Sequence, residues 1–238
     1  QKYLFGYNNF ESLPNTYLNH LIDHFGYYKG TEFNNDPIYH YSSRETNPVT
    51  LQYGSLNKLI YPTGGFTEFQ YEPHTYSKSI GSDLSLLNEI GIISGLRVKK
   101  IIDFSDAINK TEKEYLYSTD IDNQTSSGIL LQKIQYYFPN WKMKTTGGAI
   151  YTKNMFSINS LIPLSNFSGS QIEYSTVIVR EIGKGYIKNS YKTHQDYPNS
   201  YSGTISPEHS IFDPKTDMSY KSGKLYLSFP SQNSRKWI

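Results

Sequence analysis

His20 and His24 stand four residues apart, a spacing that on a helix turns two imidazoles to one face where they can bind zinc. A zinc protease of that pattern carries Glu directly after the first His, and here position 21 is Leu. A turn or short helix with polar ends is therefore the expected reading, and no metal is assigned. DIDNQ at 120–124 sets oxygen ligands at alternating positions, as calcium loops begin, but it lacks the EF-hand glycine and distal glutamate, so a solvated hairpin loop is expected. Two acid pairs, Glu68 with Glu72 and Glu112 with Glu114, have side chains on one strand face and could serve as acid and base in a glycosidase cleft. Opposite a tyrosine stripe, such pairs read as the wet face of a sheet. Serine occurs without a GxSxG elbow, and the absence of cysteine removes thiolate nucleophiles, disulfides and Cys-based zinc sites together. Isolated loop tyrosines, Tyr197 and Tyr201, are the candidate glycan contacts, because flat rings suit pyranose stacking.

No catalytic residue, metal or cofactor emerges from these motifs, so the elements that would position them carry more information. The 238 residues include 23 tyrosines and 12 phenylalanines within a hydrophobic share of only 37%. Aliphatic residues fill compact cores, whereas tyrosine suits half-buried sheet faces where the ring packs and the hydroxyl stays wet. This composition predicts an extended or curved sheet with a modest core. The net charge of +2, with lysines dispersed, speaks against a nucleic-acid groove. No run approaches 18 apolar residues, so no helical membrane span is expected.

Three hairpins are predicted. In LNKLIYPTGGFTEFQYE the turn chemistry of Pro62, Thr63, Gly64 and Gly65 joins two strands, the second placing Thr67, Phe69 and Tyr71 on one face and Glu68, Gln70 and Glu72 on the other. Glycine-led GLRVKKIIDF at 95–104 and TEKEYLYS, joined by SDAINK, form the second. QIEYSTVIVREI, GKG and YIKNSYKT form the third, its first strand covered on both sides. Single strands are expected at 128–138, 149–157 and 223–229. Helical spacing is confined to TYLNHLIDHF at 16–25 and one turn in SLLNEIGI. The stretch 193–217 reads as a long loop.

One local pattern recurs at strand ends: aromatic, spacer, tyrosine. It occurs at Phe5 and Tyr7, at Phe69 and Tyr71, and at Tyr115 and Tyr117, and the latter two follow glycine-led partner strands starting at Gly54 and Gly95. Residues two apart share a strand face, so each pair is expected to lay a double aromatic stripe across its hairpin. The first copy has no strand before it, so the chain is expected to open inside a repeating structure, with the partner strand upstream.

GSLNKLIYPTGGFTEFQYE resembles the tyrosine-aspartate (YD) repeat of RHS proteins, with Glu72 and Ser118 where the repeat carries Asp. IDHFGYYKG at 22–30, YPTGGFTEFQYE and SGLRVKKI at 94–101, in that order, are similar to segments of the RHS-like proteins abundant in Bacteroidetes, and the likeness covers about residues 1–120. The resemblance implies an all-β fold of consecutive antiparallel hairpins in a curved, extended sheet with at most one or two short helices. It implies a single hairpin-repeat region over 1–238, part of a longer array. It further implies a non-catalytic scaffold or shell segment of a secreted or cell-surface protein, partnered by flanking repeats or by a protein cargo such as a toxin domain. A carbohydrate-binding module using exposed tyrosines is the alternative. The Asp-Pro pairs at Asp36 and Asp213 lack the glycine of the RHS self-cleavage motif, so no autoproteolysis is expected.

Overall fold

A computed structural model describes residues 2–16, 19–106, 108–161, 171–201 and 215–232, without the side chains at 141, 143, 144, 201, 215, 231 and 232. The strands are β1 (Leu4–Tyr7), β2 (Leu56–Ile60), β3 (Phe66–Ile80), β4 (Leu86–Phe104), β5 (Lys110–Leu116), β6 (Gly128–Leu130), β7 (Tyr137–Lys144), β8 (Ile150–Phe156), β9 (Ile172–Tyr174), β10 (Thr176–Glu181), β11 (Gly185–Tyr191), β12 (Ser200–Tyr201), β13 (Lys215–Thr216) and β14 (Leu225–Gln232). The fold is all-β, and helical structure among the described residues is limited to four 3₁₀ turns of three residues each.

One open sheet runs in the order β1-β2-β3-β4-β5-β10-β11-β14, every neighbouring pair antiparallel. Beside it, β6 pairs with β3 in parallel and with β9 antiparallel, while β7–β8 and β12–β13 form separate two-stranded ribbons. The three predicted hairpins are present as β2–β3, β4–β5 and β10–β11. Pro62, Thr63, Gly64 and Gly65 make the first turn, in which the Tyr61 N–H donates to the Gly65 carbonyl at 2.8 Å and the Gly64 N–H to the Tyr61 carbonyl at 3.0 Å. Gly54 lies in the turn before β2.

The sequence pattern misses a fourth hairpin, the longest of all. β3 continues past Tyr71 to a length of 15 residues, and β4 begins at Leu86 and runs for 19, so SLLNEIGI is strand rather than a helical turn. Register slips between Gln70 and Tyr71, Pro73 and His74, and Tyr76 and Lys78 absorb Pro73 and break the two-residue period that would have revealed the strands. Gly95 does not lead a strand but sits within β4 at φ +102°, where an added Cβ would lie 2.8 Å from the His74 ring.

Three further expectations are corrected. The helical spacing at 16–25 yields no helix over its described residues, Tyr17 and Leu18 lying outside them; instead Ile22 bridges Tyr28 antiparallel. The strand expected at 128–138 is three residues of β6, an irregular stretch and the start of β7. The first strand of the third hairpin divides at Ser175, whose N–H donates to the Ser127 carbonyl, and Ile172–Tyr174 leaves to join β6. β1 takes its partner from β2, which follows it in sequence.

The core is small and lies at the outer half of the long hairpin. Ile80, Ile129 and Leu131 pack with Leu84 and Leu86, and Ile93, Leu130 and Ile172 pack with Phe25, Tyr76 and Tyr174. β6 runs parallel beside β3 so closely that a Cβ at Gly128 would meet the Thr75 carbonyl oxygen at 2.4 Å, with Ile172 and Ser126 also in contact. Backbone cannot yield as a side chain can, so Gly128→Ala should cost about 2–3 kcal/mol in urea unfolding. Gly147→Ala, which meets nothing within 4 Å, is the matched control. Equal midpoints for the two variants would refute this packing.

Candidate functional site

Two buried polar clusters hold the irregular segments against the sheet. In the first, cross-strand neighbours Glu72 on β3 and Arg97 on β4 form an ion pair at 2.7 Å, the Arg97 side chain being only 9% exposed. Arg97 also donates to the Tyr174 hydroxyl at 2.7 Å and to Thr75 Oγ1 at 3.1 Å, while its guanidinium lies 4.2 Å from the Tyr117 ring centroid and 5.1 Å from that of Tyr174. His74 Nδ1 lies 2.8 Å from the Tyr174 hydroxyl, and the Tyr117 hydroxyl donates to the Val98 carbonyl at 2.9 Å. Burial pushes the hydroxyls of Tyr117 and Tyr174 up to about 12, against the opposing pull of Arg97. Burial, then Arg97, lowers His74 to about 4. At neutral pH this is a fixed arrangement of one cation, one anion and neutral rings, suited to joining β3, β4, β9 and the end of β5.

The second cluster is built on Asp23, 1% exposed. Its carboxylate accepts from the Ser94 hydroxyl, from Thr46 Oγ1 at 3.3 Å, and from the backbone N–H groups of Phe25 and Tyr27 at 2.9 and 3.0 Å. Arg44, also buried, donates to the Asp23 carbonyl at 2.8 Å and to the Ile158 carbonyl at 2.9 Å, with its guanidinium 4.6 Å from the Phe33 ring and 5.2 Å from Tyr136. His40, fully buried, has ring nitrogens 2.8 Å from the Asn34 carbonyl and 3.2 Å from that of Ile158. His24 Nδ1 lies 3.0 Å from the Tyr136 hydroxyl, and its Nε2 is buried without a hydrogen-bond partner. Burial, then the electrostatic effect of Arg44 and of the nearby His40 and Lys29, lowers His24 to about 4.

His20 and His24 do not converge: His20 is exposed and stacks on Phe33 at 4.9 Å, while His24 turns inward to Tyr136. No group of three or more metal-ligating side chains occurs among the described residues. The acids identified in sequence each face a base. Glu68 meets Lys58 at 3.1 Å, Glu72 meets Arg97, Glu112 lies between Lys110 at 2.5 Å and Lys100 at 3.4 Å, and Glu114 pairs with Arg180. The Lys110 hydrogen bond, with help from Lys100, holds the Glu112 carboxyl below its usual range, which disfavours a proton donor there. Asp120 in the DIDNQ loop faces Lys188 at 3.6 Å.

The three aromatic-x-Tyr pairs occupy different environments. Phe5 and Tyr7 on the edge strand are 57% and 49% exposed. Phe69 and Tyr71 are half-buried opposite Ile101 and Val98, Tyr115 lies opposite Val179, and Tyr117 turns to Arg97. Ring stacking within the sheet comes instead from Phe66 on Phe104, at 4.3 Å. Of the glycan candidates, Tyr197 is half-buried near Lys221; Tyr201 lies in β12, its side chain outside the described residues.

Local motifs pointed to neither Arg97 nor Asp23. One signal was available: only four of the 23 basic residues are arginine, and Arg44 and Arg97, both in buried environments, use the guanidinium's planar fork and stacking face in ways a lysine cannot. No protein-family model matches the chain, and no curated protein or solved structure shows significant similarity to it.

Proposed function

We propose that this chain is a non-catalytic structural sheet of an RHS-like secreted or cell-surface polypeptide, its two edges continued by strands of flanking repeats or of a protein cargo. The observation that carries this reading is the state of the end strands. β1 exposes Leu4 and Phe5 by more than half, and β14 does the same with Leu225, Tyr226 and Phe229. Edge strands of self-contained sheets usually carry charges, because unpaired N–H and C=O groups with apolar side chains invite another strand, and neither β1 nor β14 contains a charged residue. The basic partners of Glu68, Glu72, Glu112 and Glu114 agree with a structural sheet face rather than a hydrolytic cleft.

A benzoyl-phenylalanine photocrosslinker placed at position 5 or 229 of the protein as the cell makes it tests the proposal. Each position should capture one strand-forming segment in a single register, identified by mass spectrometry. Absence of crosslinks, or scattered products without a common register, would overturn it.

A further inference from the structure

We infer that the surface formed by Tyr197, Tyr220, Tyr226, Lys192, Lys221 and Asp196 binds an acidic saccharide, a pyranose bearing a carboxylate. This goes beyond the scaffold reading and does not depend on it.

The chain segments that build the surface are tied together by backbone. The Lys192 N–H donates to the Lys224 carbonyl at 3.0 Å, the Gly223 N–H returns to the Lys192 carbonyl at 2.8 Å, and the Met218 N–H donates to Asn199 Oδ1 at 2.7 Å. The loop containing Tyr197 is thereby held against the 3₁₀ turn at Ser219–Lys221 and the start of β14. Tyr220 and Tyr226 are 54% and 64% exposed, so both rings are open to a ligand from solvent.

The two lysines differ in a way that points to the ligand. Lys192 Nζ lies 3.9 Å from the Tyr226 ring centroid and is neutralised by Asp196 at 2.9 Å. Lys221 Nζ lies between two rings, 5.3 Å from Tyr197 and 5.5 Å from Tyr220, and no carboxylate among the described residues pairs with it. A ligand that supplies that carboxylate and also an apolar ring face matches both features at once. The C–H face of a pyranose packs on Tyr220, beside which its carboxylate meets Lys221, and its hydroxyls donate to Asp196. A neutral sugar leaves Lys221 without its counterion, and a simple anion leaves the exposed rings unused.

Calorimetric titration of the whole chain with a hyaluronan hexasaccharide, an oligogalacturonate and sialyllactose, against chitohexaose as the neutral control, decides the matter. At least one acidic saccharide should bind 10-fold or more tightly than chitohexaose. Tyr220→Ala and Lys221→Gln should each weaken that binding about 10-fold, with Lys221→Arg retaining it, while circular dichroism confirms that all three variants fold. The inference is overturned if none of the acidic saccharides binds or if chitohexaose binds equally well. It is equally overturned if binding survives Tyr220→Ala, since that outcome marks attraction of an anion by lysine alone.

Discussion

Lowering the pH from 7 to 4 should destabilise this protein by several kcal/mol, with most of the loss between pH 6.5 and 4. His24 and His74 both have folded-state values lowered from 6.5 to about 4, first by burial and then by arginines alongside them. A lowered value means that the native state holds the neutral ring while the unfolded chain takes up a proton below about pH 6.5. Stability is therefore complete above pH 6.5 and falls as the pH drops toward 4. A difference of this size corresponds to about 3 kcal/mol for each histidine. Protonation would put a further cation beside Arg44 and Lys29 in one cluster and beside Arg97 in the other. Urea titrations at half-unit pH steps measure the slope, and His24→Gln and His74→Gln should each flatten it, whatever they do to stability at pH 7. A wild-type stability that stays constant from pH 7 to 4.5 would show that neither ring is held neutral.

Arg97→Met should lower stability by about 3–5 kcal/mol, the range for removing one member of a buried, hydrogen-bonded ion pair. The loss has several sources: Glu72 is left without its cation, Thr75 Oγ1 and the Tyr174 hydroxyl lose a donor, and the Tyr117 and Tyr174 rings lose the guanidinium that packs on them. Arg97→Lys should recover only a minor part, because a compact ammonium lacks the planar fork that spans Glu72, Thr75 and Tyr174 and has no flat face for Tyr117. Lys58→Met removes a comparable charge from a pair in which both side chains are 36% exposed, and it should change stability by less than about 1 kcal/mol. Chemical denaturation of the three variants gives the ranking. Equal effects at positions 97 and 58 would mean that the Arg97 cluster does not join the strands.

The hairpins β2–β3 and β10–β11 were readable because their turns and strand alternation lie within a few residues. The β3–β4 hairpin was not, although it is the longest pairing in the molecule. Pro73, Gly91 and Gly95 look like strand breakers, but register slips accommodate Pro73, the Tyr76 ring covers Gly91, and a positive φ lets Gly95 turn the strand beneath His74. The spacing of Leu21, Ile22 and Phe25 implied a helix, but their segment is fixed by Asp23 and Arg44, whose partners include Ser94 and Ile158. No local window contains those contacts.

Composition and turn chemistry by themselves determined an all-β chain of antiparallel hairpins, because strand alternation and tight turns are short-range properties. Tertiary structure alone decided which strands pair across the sheet, that the core lies under β6 and β9, and that the polar clusters centre on Arg97 and Asp23. The reason is physical: a buried charge is tolerated only where several partners converge, and here they arrive from positions as far apart in sequence as Asp23 and Ser94, or Arg97 and Tyr174.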